Sequence, residues 1–503
     1  MLTRLINNAD PKYLVLAIAL GGLYCLGFAP FGFWPVTLVA IAGLYYLLIQ
    51  TPNNPTLVAW CFGIGKYGVG ASWVYVSINV YGGVGPWFAG LLVVLFVLFA
   101  AALFCAPLGW LFARLKRKQS HWDVLSFAAI WGLMDWSLTW LLTGFPWLYT
   151  ANAMLDTWFA GWIPVLGVLG TSTLLVFACA AFATILVSRE AWWPYLALPV
   201  LVCIGGFLLR GISWVDEGRG HSVALIQANI DQNLKWRPEE AQPNYQKHLD
   251  LTAPYWEADL IIWPEAAITL YPQRAQLLLE DLARQSAASQ TSLVVGIPGA
   301  IARDDHYEVY NTALGLGQAS GRYLKHHLVP FGEYVPLEGL LRGVIAFFNL
   351  PMSAMSAGGS GQENISTHIG QVAVGICYEI AYPESMRQSA ISAAVLATIS
   401  NDTWFGRSIG PHQHMEIARA RALENGRWLL RATNNGITAV VNHRGMIVDA
   451  LPQFEAAALK SEFRVMLGRT PYSWIGNWPM LMFFSGIILQ ALWRRYKTDA
   501  GSS

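Results

Sequence analysis

Seven apolar stretches of helical length fill the first 211 residues, at about 12–29, 31–50, 57–78, 88–113, 122–142, 160–187 and 193–210, and an eighth runs from about 474 to 493. A helix needs roughly 20 mostly apolar residues to cross the hydrocarbon core of a bilayer, so the pattern predicts eight membrane spans. The first stretch runs straight into others and carries no clear small-residue cleavage site, so it is expected to stay in place rather than leave as a signal peptide. Between 212 and 472 the pattern changes. Short β-rich runs at 222–228, 259–263, 292–296, 371–376, 394–399 and 437–442 alternate with polar stretches of helical period at 238–252, 273–287, 382–392 and 411–425. That alternation predicts an α/β layered domain. One stretch breaks the pattern: 337–357 (LEGLLRGVIAFFNLPMSAMSA) is apolar inside the polar domain. It reads either as a buried core helix or as a lid or membrane-dipping loop.

Composition agrees with a chain that lives largely in lipid. Of the 503 residues, 55% are hydrophobic and 13% charged, where a soluble domain carries about 25% charged residues. The 23 tryptophans suit the aromatic belts at the two membrane interfaces. A net charge of +1 leaves no basic face for nucleic acid. The loop charges set an orientation. Arg4, Lys12, Arg114, Lys116, Arg117, Lys118, Arg189, Arg494, Arg495 and Lys497 fall on one side, while the loops near 30, 79–86 and 143–157 carry no Lys or Arg. The positive-inside rule puts the N-terminus in the cytoplasm and 211–473 outside it. Lys66 and Asp135 lie within spans, where charge is costly. They pair with each other, or Lys66 snorkels, or they serve a function; they are not assigned to the site below.

Chemistry gathers in three segments, each an apolar strand running into a turn. The first is Ile262-Trp263-Pro264-Glu265. A carboxylate held against a Pro turn and partly desolvated suits a general base; it equally suits an acid at a helix N-terminus. The second is Tyr323-Leu324-Lys325, followed by Val329-Pro330-Phe331-Gly332-Glu333. Lys325 can stabilise a developing oxyanion, with Glu333 holding the ammonium, or the two form a surface ion pair. His326 and His327 follow directly, and neighbours on a strand face opposite ways, which argues against a metal site. The third is Val374-Gly375-Ile376-Cys377-Tyr378-Glu379. Five of the six cysteines lie in apolar stretches; only Cys377 stands in the polar domain. A cysteine at a strand end beside an acid and a lysine can be deprotonated on demand; the alternative is a buried structural thiol. No CxxC or Cys/His spacing points to zinc, and one soluble thiol makes no disulfide framework.

Glu265, Lys325 and Cys377 in that order resemble the nitrilase superfamily, which sets a Glu-Lys-Cys triad on an α-β-β-α sandwich. The resemblance covers about 220–465 and includes Ile399-Ser400-Asn401-Asp402-Thr403-Trp404-Phe405-Gly406. The chain as a whole, with seven spans, a nitrilase-like domain and a last span, is similar to the apolipoprotein N-acyltransferase family. Gly144-Phe145-Pro146-Trp147, Pro411-His412-Gln413-His414 with Arg419 and Arg421, and Arg431-Ala432-Thr433-Asn434-Asn435-Gly436 carry the likeness further.

The resemblance implies a membrane domain over 1–211, a periplasmic nitrilase-like catalytic domain over 212–472 and an eighth span with a cytoplasmic tail over 473–503, in a bacterial inner membrane. It implies ping-pong acyl transfer through a Cys377 thioester. The donor is a phospholipid sn-1 chain, from phosphatidylethanolamine, and the acceptor is the α-amine of a diacylglyceryl-cysteine apolipoprotein. Trp236, Asn311, Glu333, Tyr378, Glu379 and Trp404 are implied to line the site; core packing is the alternative for each. As a lid or membrane-dipping loop, 337–357 would admit acyl chains. No ATP, metal or nucleotide is expected, and no phosphate-cradling glycine loop stands at a strand-to-helix turn. A tethered amidase or nitrilase uses the same triad, but needs neither the spans nor the apolar 337–357 stretch. A transporter or sensor with a binding module predicts that the triad positions tolerate alanine.

Overall fold

The computed structural model describes residues 10–51, 53–116, 121–187, 192–302, 307–336 and 354–500, with the side chains of 187 and 495–500 left aside. The chain forms two compact units: Met1–Tyr75, Pro86–Ile212 and Ile475–Ser503 make one, and Val76–Gly85 with Ser213–Trp474 the other.

The first unit is helical. By length and composition three of its described helices can cross a membrane: Pro86–Leu115, Trp158–Leu186 and Trp192–Arg210, with mean hydropathies of 2.9, 2.1 and 1.8. Pro11–Gly27 and Trp34–Gln50 are apolar but shorter. The expected 57–78 helix ends early: its regular part is Pro55–Gly70, and Val76–Gly85 groups with the other unit. The expected 122–142 helix closes at Ser137 and gives way to a turn with Leu142 at φ +51 and Gly144 at φ +90. A tight seam joins Pro11–Tyr24 to Pro55–Gly70. A Cβ on Gly65 would sit 2.0 Å from the Ile18 carbonyl oxygen, and one on Gly21 would sit 2.0 Å from that of Phe62. Small residues let membrane helices approach this closely. Lys66 lies fully buried against this seam, so it does not snorkel. Its ammonium stands over the rings of Tyr24, Tyr67 and Trp131 at 5.1, 5.6 and 5.6 Å and has no hydrogen-bond partner among the described residues. Asp135 accepts from Trp131 Nε1 at 3.2 Å.

The second unit is built on two sheets of six strands. In chain order the strands are β1 (Val215–Gln227), β2 (Leu260–Ile262), β3 (Ser292–Ala302), β4 (Tyr307–Gly317), β5 (Arg322–Leu324), β6 (Ile365–Thr367), β7 (Gly370–Ile376), β8 (Val395–Ser400), β9 (Leu429–Thr433), β10 (Ala439–Val441), β11 (Ile447–Ala450) and β12 (Ala457–Gly468). One sheet runs β12-β1-β2-β3-β4-β5, the other β11-β10-β9-β8-β7-β6. β1, β2 and β3 are mutually parallel, as are β7, β8 and β9.

Strand alternation sorts the core. Val223, Leu225, Leu260, Ile262 and Val294 meet Val374, Ile376, Ala397, Ile399 and Leu430 between the sheets. The intervening Ala224, Ile226, Ile261, Trp263, Leu293 and Val295 pack outward with Tyr245 and Leu282 of the helices Ala241–Thr252 and Gln276–Ala288. Helices Pro383–Ala390 and Gly410–Asn425 pack with the second sheet, which completes the expected α-β-β-α layering. The apolar 337–357 stretch lies outside the described residues as far as 353; beyond it, Met355 N donates to Glu333 O at 2.8 Å and Ser356 N to Val309 O at 2.7 Å.

A side chain at Gly65 has no room. Gly65→Val is expected to cost about 1–3 kcal/mol through overpacking, read as a lower thermal midpoint in detergent. Gly90, with nothing within 4 Å of its notional Cβ, should accept Leu with a change within about 0.5 kcal/mol.

Candidate active site

Parallel strands end together, so the turns after β2, β7 and β8 share one edge of the sandwich, where α/β sheets commonly place ligands. Trp263 extends β2 by donating its N–H to Val294 O at 2.9 Å, and its indole Nε1 donates to Thr252 Oγ1 at 2.9 Å. The chain then turns through Pro264 and Glu265 to Ala266 at φ +46. The turn fits because residue 296 on β3 is glycine: a Cβ there would lie 2.3 Å from Pro264 O, 2.7 Å from Ala266 N and 2.8 Å from Glu265 Cα.

Glu265 is 6% exposed. Its Oε1 accepts from Asn311 Nδ2 at 2.6 Å and lies 3.5 Å from Lys325 Nζ, and its Oε2 accepts from Asn401 N at 2.7 Å. Lys325 follows β5, its N–H donating to Asn311 O at 2.8 Å. Its Nζ donates to Glu333 Oε1 at 2.8 Å. Glu333 in turn accepts from Asn311 Nδ2 at 3.3 Å and from Val329 N at 2.8 Å. Burial alone would push the Lys325 ammonium down, but the carboxylates of Glu333 and Glu265 outweigh it and hold the group above its ordinary value.

Cys377 stands on the first residue after β7 at φ +53, a left-handed conformation that a side chain rarely adopts. Burial raises its thiol well above the ordinary value, Glu265 raises it further, and Lys325 pulls the other way. The thiol is therefore held toward its protonated form, within the electrostatic reach of both a carboxylate and an ammonium. Glu379 ties this elbow to the Lys325 segment. It is buried and accepts from Ile376 N at 2.8 Å, Tyr323 Oη at 2.9 Å, His326 N at 2.7 Å and His327 N at 3.0 Å. Its carboxylate thus joins the residue before Cys377 to the two residues after Lys325.

Tyr378 sets its ring edge-on to Tyr382 at 5.4 Å. Trp236 is half-buried after the short helix Gln232–Lys235, its Nε1 without a partner among the described residues. The Trp404 carbonyl accepts from Ser77 Oγ at 2.8 Å, and its ring meets Tyr81 at 6.0 Å. His326 and His327 correct a sequence expectation. They follow β5 in a loop rather than lying on a strand, so the alternation rule does not separate them, and their rings are 4.6 Å apart. Each has its own partner: His326 Nδ1 is 2.6 Å from Gly358 O, and His327 stacks on Tyr382 at 3.8 Å.

Sequence reasoning assigned no part to five groups in and behind this constellation. Asn401 supplies its backbone N–H to Glu265. Lys235, 2% exposed, donates from Nζ to the Glu265 main-chain carbonyl at 2.9 Å. His414 Nε2 lies 3.1 Å from the Cys377 carbonyl, while its Nδ1 is 3.0 Å from both Asp402 Oδ1 and Arg431 Nη2. Arg431 Nη2 donates to Asp402 Oδ2 at 2.6 Å. The stretches 399–406, 411–414 and 431–436 marked the segments that carry Asn401, Asp402, His414 and Arg431; nothing in the pattern marked the buried ammonium of Lys235.

Two outcomes follow from this geometry. Burial opposes the charge on Asp402, yet Arg431 and His414 hold its carboxyl down to about 2 from the ordinary 3.8. A depressed carboxyl adds stability that is complete above about pH 4 and is lost as pH falls toward 2. Arg431→Met should therefore cost about 3–5 kcal/mol at neutral pH by leaving a buried charge unpaired, and the gap to wild type should shrink across that acid window in denaturant titrations. Gly296→Ala should displace Glu265 and, with Glu265 acting as the base proposed below, reduce turnover about 100-fold, the usual result of moving a reacting group by an ångström, with a smaller effect on the unfolding midpoint.

Residues 222–468 match the carbon-nitrogen hydrolase family model, and residues 20–181 match the apolipoprotein N-acyltransferase N-terminal domain. The apolipoprotein N-acyltransferase of Photobacterium profundum is 41% identical over 484 residues, covering 93% of this chain and 92% of that one. That of Pseudomonas syringae pv. tomato is 41% identical over 496 residues, covering 95% and 96%. Among solved structures, Saccharomyces cerevisiae Nit3, a member of branch 10 of the nitrilase superfamily, covers 50% of this chain and 92% of its own at 19% identity and a TM-score of 0.37. With two family models across most of its length and relatives aligned nearly end to end, the chain belongs to the apolipoprotein N-acyltransferase family.

Proposed function

We propose that the enzyme moves the sn-1 acyl chain of a phospholipid, phosphatidylethanolamine in the first instance, through a Cys377 thioester to the α-amine of an N-terminal diacylglyceryl-cysteine. The observation that carries this reading is the interlock of Glu265, Asn311, Lys325 and Glu333 beside the left-handed Cys377. Glu265 accepts the thiol proton as Cys377 Sγ attacks the ester carbonyl. The new oxyanion draws on the Lys325 ammonium, a fixed charge in a poorly hydrated site. The tetrahedral adduct collapses, the C–O bond breaks, and the protonated Glu265 returns its proton to the departing lysophospholipid alkoxide. Cys377 is left as a thioester. The acceptor amine then attacks the same carbonyl carbon, Glu265 takes its surplus proton, the C–S bond breaks to give the amide, and Glu265 passes that proton to the departing sulfur, restoring the free thiol. Two moderate steps replace one difficult ester-to-amide exchange.

Asn311 and Glu333 keep the base and the ammonium in register, and Glu379 holds the elbow; Tyr378, Trp236 and Trp404 line the way in. The domain division follows the sequence reading: seven spans over 1–211, a catalytic domain over 212–472, and an eighth span with its tail over 473–503. The Lys/Arg asymmetry of the loops supports an inner-membrane protein with the catalytic domain on the periplasmic side. No cofactor is required by any step.

Incubation with phosphatidylethanolamine and no acceptor should leave a fatty-acyl adduct on the peptide bearing Cys377, detected by mass spectrometry and released by a diacylated lipopeptide. Cys377→Ala should keep its unfolding midpoint and lose both signals. Transfer of an acyl chain to the lipopeptide by Cys377→Ala would sink the proposal, as would hydrolysis of small amides in place of adduct formation.

A further inference from the structure

The buried charges of the site do not balance without a second cation. Around Cys377 stand the carboxylates of Glu265 and Glu333 and the single ammonium of Lys325. Asp402 is matched by Arg431, and Glu379 is met by four donors of its own. Within the set Glu265, Glu333 and Lys325 one negative charge is left over in a region of low dielectric, where an uncompensated ion is strongly disfavoured. The next charged group in reach is Lys235, the last residue of the helix Gln232–Lys235. Its ammonium is buried, and among the described residues its hydrogen bond goes to the Glu265 carbonyl at 2.9 Å.

We propose that Lys235 is a positioning residue for the first half-reaction, its ammonium anchoring the Glu265 turn and offsetting the surplus negative charge of the Glu265–Lys325–Glu333 cluster while charge passes from thiol to oxyanion. This rests on the proposed acyl transfer through Cys377. With Lys235 charged, Cys377, Glu265, Glu333, Lys325, Lys235 and the bound ester together sum to zero at rest. The sum is unchanged when the proton moves from Cys377 to Glu265, and again when the negative charge moves from sulfur to the carbonyl oxygen. With Lys235 neutral, every one of these states carries a net negative charge, and the thiolate must form beside it.

The cation is also titratable. Burial pulls the Lys235 ammonium down to about 8 from an ordinary 10.5, against the opposing pull of Glu265 and Cys377. The other ionisable group that it faces is His248, which burial holds down to about 4, so His248 is neutral throughout the relevant range. The charge on Lys235 is thus present below about pH 8 and lost above it, and acylation should decline through that region.

The test measures Cys377 acylation by phosphatidylethanolamine in detergent without an acceptor, so that no acceptor amine titrates. Wild type should show an alkaline decline near pH 8. Lys235→Gln, which can still donate a hydrogen bond but carries no charge, should acylate about 10- to 100-fold more slowly, the usual cost of losing a partner that orients a reacting group. Its profile should also lose the decline. Lys235→Arg should recover most of the rate and carry it to higher pH. A Lys235→Gln enzyme with the wild-type rate and profile would overturn the inference. So would a wild-type profile that is flat through pH 8, which needs no variant to fold. Absence of any adduct on wild-type Cys377, or its persistence at another residue in Cys377→Ala, would instead refute the acyl-transfer reading itself.

Discussion

One ammonium shared between two carboxylates organises the site. Lys325 Nζ lies 2.8 Å from Glu333 and 3.5 Å from Glu265, with all three side chains nearly out of contact with water. In so dry a place each charge is tolerable only because the others are there, and removing one partner leaves the rest exposed to the full cost of desolvation. That constraint forces precision. Asn311 donates to both carboxylates from one amide nitrogen and receives the Lys325 N–H on its main-chain oxygen. Base and ammonium therefore cannot drift independently. The same rigidity that makes the cluster expensive to assemble leaves it with little reorganisation to undergo when an oxyanion appears.

The fold brings these charges together through strand direction. β2 and β3 on one sheet, and β7 and β8 on the other, each end at the same edge. The alternating apolar faces seal the two sheets against each other, so the strand ends are fixed by the packing of the whole sandwich. Glu265 receives its donors from both sheets: Asn311 on β4 of the first and Asn401 at the end of β8 of the second. Glu379 does the converse, carrying a carboxylate from the end of β7 to the backbone after β5. The two sheets are thus cross-linked at their reactive edge by buried carboxylates.

Much of this was legible in the chain. Runs such as 222–228, 292–296 and 371–376 are mostly apolar because their strands are buried on both faces, and such runs announce themselves. β12 escaped notice because it pairs along β1 with one face exposed, so polar residues such as Lys460, Glu462 and Arg464 interrupt its apolar ones. β9 escaped because it carries Arg431, a buried charge that looks like a surface residue until Asp402 is seen beside it. The triad segments were visible because each pairs an apolar run with a charged residue and a turn. Lys235 was not, because nothing local separates a lysine that dives under a turn from one that faces water. The partner that buries it is thirty residues away, at Glu265.

The resting state of Cys377 fits the setting proposed for it. A thiolate is the form that oxidises and reacts adventitiously, and the periplasm offers no reducing pool to repair it. Burial and the Glu265 charge keep the sulfur protonated until a substrate carbonyl occupies the pocket. In the proposed reaction, proton transfer to Glu265 leads onward only then, because the negative charge can pass to an oxygen facing Lys325. The elbow at φ +53 holds the sulfur in place for that moment. Its strain is carried by contacts on both sides: Glu379 on the amide of Ile376, and His414 at the Cys377 carbonyl. On the proposed mechanism, a protonated thiol, an aimed side chain and a pre-set cation let the site stay inert without lipid and become nucleophilic once an ester arrives.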